Sequence, residues 1–125
     1  MNPRPFDYLY ILATLAFTVY GQLILKWRIA QLEPLPAAAA DKLRQLVLWC
    51  FDPAIFSGFL AAFLASLAWM AAMTRFDLNH AYPFMALNFV VVLLLSGVLL
   101  AEPVTMQKWV GVLLIVIGTV VAARG

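Results

Sequence analysis

Residues 79–109 read NHAYPFMALNFVVVLLLSGVLLAEPVTMQKW, a largely apolar run that starts with Asn79, His80 and Tyr82, carries Asn88 inside it, and leaves through Glu102 and Pro103. A polar or ionisable group at membrane depth loses its water, so it persists where it faces a bundle interior or a cavity that uses it. The stretch therefore reads as a membrane helix with one wet face.

Working outward, the rest of the chain has the same solvent. Of 125 residues, 66% are hydrophobic and 11% charged, too little polar surface to cover a soluble globule of this size. The expected class is an all-α integral membrane bundle, with residues 1–125 as a single transmembrane domain. A net charge of +2, dispersed along the chain, gives no footprint for nucleic acid. The single cysteine, Cys50, excludes an intrachain disulfide framework and reads as a small apolar side chain on a helix. The apolar run from Tyr8 to Leu25 is too long for a signal-peptide core and ends in Lys26, Trp27 and Arg28, so it is expected to remain as the first span.

A hydrocarbon core of about 30 Å needs roughly 20 helical residues, and four segments meet that length, at about 7–27, 54–75, 78–100 and 105–123. Pro34 and Pro36 interrupt the first connection, Arg75, Phe76 and Asp77 form the second, and Ala101, Glu102 and Pro103 form the third. The long first connection holds a helix signal of its own over about 39–51. Leu43, Leu46, Val47 and Cys50 share one face opposite Asp41, Lys42, Arg44 and Gln45, as in a helix lying at the membrane surface. Its role is that of a solvated connector or, less simply, a lateral gate for a lipid.

In the first span Thr14, Thr18, Gln22 and Lys26 follow one another at four-residue spacing, which makes one gently drifting polar stripe. The threonines can bond back to their own helix and Lys26 can snorkel to the interface. Alternatively the stripe lines a cavity. Gln22 favours the cavity, because a buried amide without partners costs on the order of several kcal/mol. In the second span Ser57, Ala61, Ala65, Ala68 and Ala72 form a face of small residues for close helix packing. The fourth span has Gly111, Gly118 and Ala122 for packing or dimer formation, and beyond Trp109 its one polar group is Thr119.

Alternation across the bilayer puts Lys26, Glu102 and Lys108 at one surface and Arg75, Asp77, Asn79 and His80 at the other. Lys26, Arg28, Lys42, Arg44 and Lys108 on the first side against Arg4, Arg75 and Arg124 on the second leans toward the first as cytoplasmic. No nucleophile and base pair, HExxH, paired catalytic carboxylates or glycine-rich phosphate loop occurs, so neither a catalytic nor a metal site is expected, nor any cofactor. His80 stands alone, as a helix cap or interfacial donor does more often than a catalyst. Transport, or service as a membrane-embedded partner subunit, remains.

GQLILK at residues 21–26, AYPFMALNFV at 81–90 and EPVTMQKWVG at 102–111 resemble the small multidrug resistance superfamily. Within it, the motifs are most similar to those of the EamA-like small subunits of aminoarabinose-phosphoundecaprenol flippases, written GQxxxK, AYPxxxLNFV and EPVxxxxWxG. The resemblance implies a four-helix fold that works as a homodimer or with a homologous sister subunit in the bacterial inner membrane. It also implies a polyprenyl-phosphate-linked sugar as substrate, for modification of an envelope glycolipid. The substrate-binding candidates are Lys26, Gln22, Thr18, Tyr82, Asn88, Glu102 and His80. Proton-coupled drug exporters of the superfamily carry a membrane-embedded glutamate where Thr18 stands and a tryptophan where Met85 stands. This chain thus lacks the acid that would bind a cationic drug and exchange it for protons. The alternatives to a flippase are nevertheless an exporter of cationic compounds and a non-transporting partner of a membrane glycosyltransferase.

A lipid-linked substrate fits the residues independently, since its tail can stay in the bilayer while only a small polar head crosses. Thr, Gln, Asn and Tyr suit hydroxyl groups, and a lysine suits phosphate as a point charge. The sequence leaves open whether the movement is downhill exchange or ion-coupled.

Overall fold

The computed structural model describes residues 4–125. After a 3-10 turn at Pro5–Asp7, the chain forms α1 (Tyr8–Ile29), α2 (Ala39–Trp49), α3 (Pro53–Met73), α4 (Leu78–Met85), α5 (Leu87–Leu99) and α6 (Met106–Arg124). No strand occurs among the described residues. Four stretches are long and apolar enough to cross a bilayer: Pro5–Ile29, Pro53–Met73, Leu78–Leu99 and Met106–Arg124. The protein is an all-α, multi-pass membrane protein.

Local chemistry sets the helix starts. Asp52 caps α3 by accepting hydrogen bonds from the Ala54 and Ile55 N–H groups at 3.2 and 3.3 Å, with Pro53 in the first turn where its missing N–H costs nothing. Thr105 caps α6 by accepting from the Lys108 N–H at 3.3 Å. The third span is two helices rather than the single helix expected. Pro83 lacks the N–H that an α-helix would bond to Asn79, and beyond it the backbone tightens through Ala86 N–H to Pro83 O and Phe89 N–H to Ala86 O, each 3.1 Å. The Thr119 hydroxyl on α6, which donates to its own Ile115 carbonyl at 2.8 Å, lies 3.4 Å from the Pro83 carbonyl oxygen and ties α6 to the break.

The first two spans, α1 and α3, form the most extensively packed pair. Their contact centres on Gly21 and Gly58, and the buried face of α3 comprises Ile55, Gly58, Ala61, Ala65 and Ala72. It is the expected small-residue face turned slightly, with Ser57 and Ala68 only half-buried, because Gly58 is where the α1 backbone comes nearest. Tyr20 and Ser57 add a hydroxyl pair at 3.0 Å. Ile11, Ala72, Phe76 and Ala81 make a core cluster where α1 begins, α3 ends and α4 begins.

The last span packs on α4 and α5 through buried Thr119, not through its glycines. A Cβ added at Gly111 or Gly118 would meet nothing within 4 Å, so the small-residue stripe of α6 faces away from the chain. In the third and fourth spans only 6% of the most apolar window is buried by the chain itself. None of α2 is buried, and its apolar Leu43 and Val47 have no cover from the bundle.

Candidate functional site

The first and third spans form the walls of a groove. The α1 stripe supplies Thr18 and Gln22, and the facing wall comes from the kinked third span through Tyr82, Pro83, Met85, Ala86, Asn88, Phe89, Val92, Leu93 and Ser96. Glu102 stands at one mouth, and the groove holds about 760 Å³. A second groove of about 560 Å³ between α1, α3 and α4 shares Thr18, Gln22, Tyr82 and Met85 as a common wall. These four side chains form the partition between the two grooves.

Five of the seven sequence-based candidates, Thr18, Gln22, Tyr82, Asn88 and Glu102, therefore come together on one surface. Lys26 stands at its mouth, with Nζ 4.0 Å from Glu102 Oε1 and the two side chains 64% and 42% exposed. At that distance and exposure the pair is loose, and screening by water leaves it easy to part. Gln22 lies one turn inward from Lys26, about 6 Å along the axis, and Thr18 one turn further. Thr14, the member of the stripe farthest from Lys26, is buried and donates its hydroxyl to the Tyr10 carbonyl at 2.8 Å, so it serves its own helix and lines only the second groove.

Inside the groove the Asn88 amide oxygen is buried with no hydrogen-bond partner. Leaving such an acceptor unpaired costs about 1–3 kcal/mol, so the site is incomplete until a donor or a side-chain rotation satisfies it. Ser96 is a groove residue that the sequence analysis passed over, and its hydroxyl donates to Leu93 O at 3.1 Å. Its signal was the same as that of Asn88, a polar residue in an apolar run.

Glu102 is aimed by an unusual turn. Ala101 takes a left-handed conformation, φ 55°, which costs an L-residue roughly 1–2 kcal/mol, and the turn lets the Glu102 N–H donate to Ser96 O at 3.3 Å. A Cβ at Gly97 beneath it would sit 2.8 Å from Val104 Cγ2, so the Val104 side chain would have to shift to admit one. The strain, the tight glycine and the chain reversal at Pro103 all converge on one carboxylate.

His80 lies elsewhere. It lines a separate pocket of about 430 Å³ with Tyr8, Arg75, Phe76, Asp77 and Asn79, at the end where α1 begins. The Tyr8 hydroxyl and His80 Nε2 are 3.0 Å apart, the His80 ring stacks on Phe76 at 5.9 Å, and Phe84 meets it edge-on at 5.6 Å. Buried Asp7 accepts from the Arg4 N–H at 2.8 Å and pairs with Arg75 at 3.5 Å. Aromatic rings and an ion pair thus hold the elements together at the end opposite Lys26.

At the Lys26 end, Arg28 grips Asp52 through Nε at 3.0 and 3.1 Å and Nη2 at 3.0 Å, fixing the end of α1 to the start of α3. The Arg28 hydrogen bonds hold the Asp52 carboxyl below its ordinary range, against a smaller opposing effect of lost hydration. Among the described residues there is no cluster of His, Cys, Asp or Glu suited to a metal ion.

Comparison with known proteins supplies the remaining finding. The family model of the EamA-like transporter family matches residues 8–124. The chain is 30% identical over 116 residues to the probable 4-amino-4-deoxy-L-arabinose-phosphoundecaprenol flippase subunit ArnE of Pseudomonas fluorescens Pf-5, covering 93% of this chain and 96% of that one. It is 34% identical over 119 residues to the probable ArnE subunit of Pseudomonas aeruginosa UCBPP-PA14, covering 91% and 94%. It is also 34% identical over 119 residues to the probable ArnF subunit of Aeromonas hydrophila, covering 90% and 76%. No solved structure matches the chain.

Proposed function

We propose that this chain, which belongs to the EamA-like transporter family, is one subunit of a flippase that carries a polyprenyl-phosphate-linked amino sugar across the bacterial inner membrane. Support comes from the names of its relatives, two of them ArnE subunits and one an ArnF subunit of flippases for 4-amino-4-deoxy-L-arabinose-phosphoundecaprenol. The observation that carries the reading is the groove of Thr18, Gln22, Tyr82, Asn88 and Glu102 with Lys26 at its mouth.

The groove reduces one cost. A sugar and phosphate entering hydrocarbon would lose their hydration, and each hydroxyl left without a partner would cost on the order of several kcal/mol. Side-chain amides and hydroxyls spaced a turn apart on α1 replace those water contacts in sequence as the head moves inward. The tail never leaves the bilayer, so a wide aqueous channel is unnecessary. Lys26 exchanges Glu102 for the substrate phosphate and, as a compact cation, tolerates the phosphate in several orientations.

No bond is made or broken in this scheme, so the chain acts as a transporter rather than an enzyme. The partner is a second copy or a homologous four-helix subunit. The uncovered surfaces of the third and fourth spans and the outward stripe of α6 leave room for it, and another subunit would close the open side of the groove.

An exporter of cations requires a carboxylate deep in the first span, where Thr18 stands. The deciding experiment reconstitutes the chain with its partner in vesicles and follows the lipid-linked amino sugar to the opposite leaflet. Accumulation there supports the reading. Proton-driven uptake of quaternary ammonium compounds without lipid movement overturns it, and so does full activity after Thr18, Gln22 and Asn88 are each replaced, the outcome a mere scaffold would give.

A further inference from the structure

A third groove lies on the other side of α1. Tyr20, Leu23, Ile24 and Trp27 of α1 meet Leu99 and Leu100 at the end of α5 around a space of about 350 Å³. At about 100° per residue these four α1 side chains point away from Thr18 and Gln22, while Lys26 falls between the two directions. The apolar groove is continuous along the chain with the Lys26 and Glu102 pair, because Trp27 follows Lys26 and Glu102 stands two residues beyond Leu100. A polar groove on one side and an apolar groove on the other thus meet at the exposed Lys26.

We propose that the apolar groove seats the first isoprene units of the substrate's polyprenyl chain while its phosphate rests on Lys26 and its sugar turns into the polar groove. The assignment rests on the flippase reading above and specifies how the loaded lipid straddles α1. The charge pattern matches one kind of molecule, an amphiphile with a long apolar chain and an anionic group at its head. Trp27 marks the headgroup level, and the groove descends from it to Tyr20, the direction a tail takes from a phosphate at the interface.

Apolar surface has no hydrophobic reason to leave lipid for protein inside a bilayer, so selection here rests on shape. The branched side chains of Leu23, Ile24, Leu99 and Leu100 and the Trp27 ring offer notches for the regular methyl branches of an isoprenoid, where a straight acyl chain makes fewer contacts. Because α5 stands between the two grooves at this level, the tail must leave its seat before the head can travel far along the polar groove. Tail binding therefore belongs to loading and not to crossing.

The test places a photoreactive residue in the full chain, held in phosphatidylethanolamine nanodiscs containing undecaprenyl phosphate. Leu99→p-benzoylphenylalanine samples the groove, and Phe63→p-benzoylphenylalanine samples a lipid-facing position on α3 of similar exposure, 60% against 64% for Leu99. The expected adduct at Leu99 is mainly undecaprenyl phosphate despite excess phospholipid, and at Phe63 mainly phospholipid. The same adduct ratio at both positions overturns the groove assignment and leaves the flippase reading standing. If the unaltered chain binds no undecaprenyl phosphate at all, both readings fall. As a second measurement, Leu23→Trp fills the groove and weakens undecaprenyl phosphate binding by about tenfold, while Phe63→Trp leaves it unchanged; equal binding by the two variants would also overturn the assignment.

Discussion

Gly21 and Gly58 meet backbone to backbone across the first two spans, so closely that a Cβ on Gly21 would stand 3.1 Å from the Gly58 carbonyl oxygen. A Cβ on Gly58 would in turn stand 3.0 Å from Ile24 Cγ2 and 3.2 Å from Leu25 Cγ. A helix carbonyl cannot step aside as a side-chain tip can, so Gly21→Ala must spread α1 from α3. Each alanine is expected to destabilise the protein by about 1–3 kcal/mol, with Gly21→Ala also moving its neighbour Gln22 off the groove wall. Thermal unfolding in detergent followed by size exclusion measures the first effect. Unchanged melting in both variants would contradict the packing described.

At the groove mouth, Lys26→Ala is expected to abolish translocation, Lys26→Arg to keep a fraction of it, and Gln22→Ala to weaken it by about 1 kcal/mol, or roughly fivefold. Membrane levels must first be shown to be equal. A lysine that only anchors the first span would tolerate alanine with little loss of transport, and near-normal rates in Lys26→Ala would refute its role.

The Arg28 and Asp52 link predicts an acid-sensitive joint. Asp52 is held below its ordinary range chiefly by the Arg28 hydrogen bonds. The linkage therefore contributes stability above the unfolded carboxylate value of about 3.9, and that contribution is lost as pH falls through the lower folded value. Proteolysis of the 30–38 connection should accelerate in that acid range in the unaltered chain. Asp52→Asn, which keeps a cap for α3 but loses the ion pair, should abolish the acid dependence, and Asp52→Ala should also loosen α3 at neutral pH.

The Ala101 turn makes an opposite pair of predictions. Glycine accepts a left-handed backbone without strain, so Ala101→Gly should leave thermal stability equal or higher by up to about 1 kcal/mol. Ala101→Val puts a β-branched side chain there and should lower stability by roughly 1–3 kcal/mol and displace Glu102. The same melting assay, read beside transport, checks both; a harmless Ala101→Val would show that the turn does not aim the carboxylate.

Most of the fold was legible because lipid imposes so simple a rule. Every residue must satisfy its backbone inside a helix, so four apolar runs of sufficient length become four helices. The break in the third span was signalled by Pro83 but read through, since hydropathy does not register a missing N–H. The left-handed Ala101 carried no signal, because alanine is among the residues that avoid it. Within the site, polar residues in apolar runs pointed to Thr18, Gln22, Tyr82, Asn88 and Glu102, and the same rule would have found Ser96. His80 shares the run with Asn88 but not its surroundings, because α4 begins at the far end of the bundle and carries it there.

The uneven packing of the chain also has an order in time. The one closely fitted helix pair is α1 with α3, and it lies wholly within the first 73 residues. Chains are built from the N-terminus, so this hairpin can settle in the membrane before Tyr82 and Asn88 have been synthesised. The later half then arrives beside a finished neighbour, with its outer faces still uncommitted when a partner meets it. Biogenesis thus delivers the rigid wall of the groove first and the kinked one last.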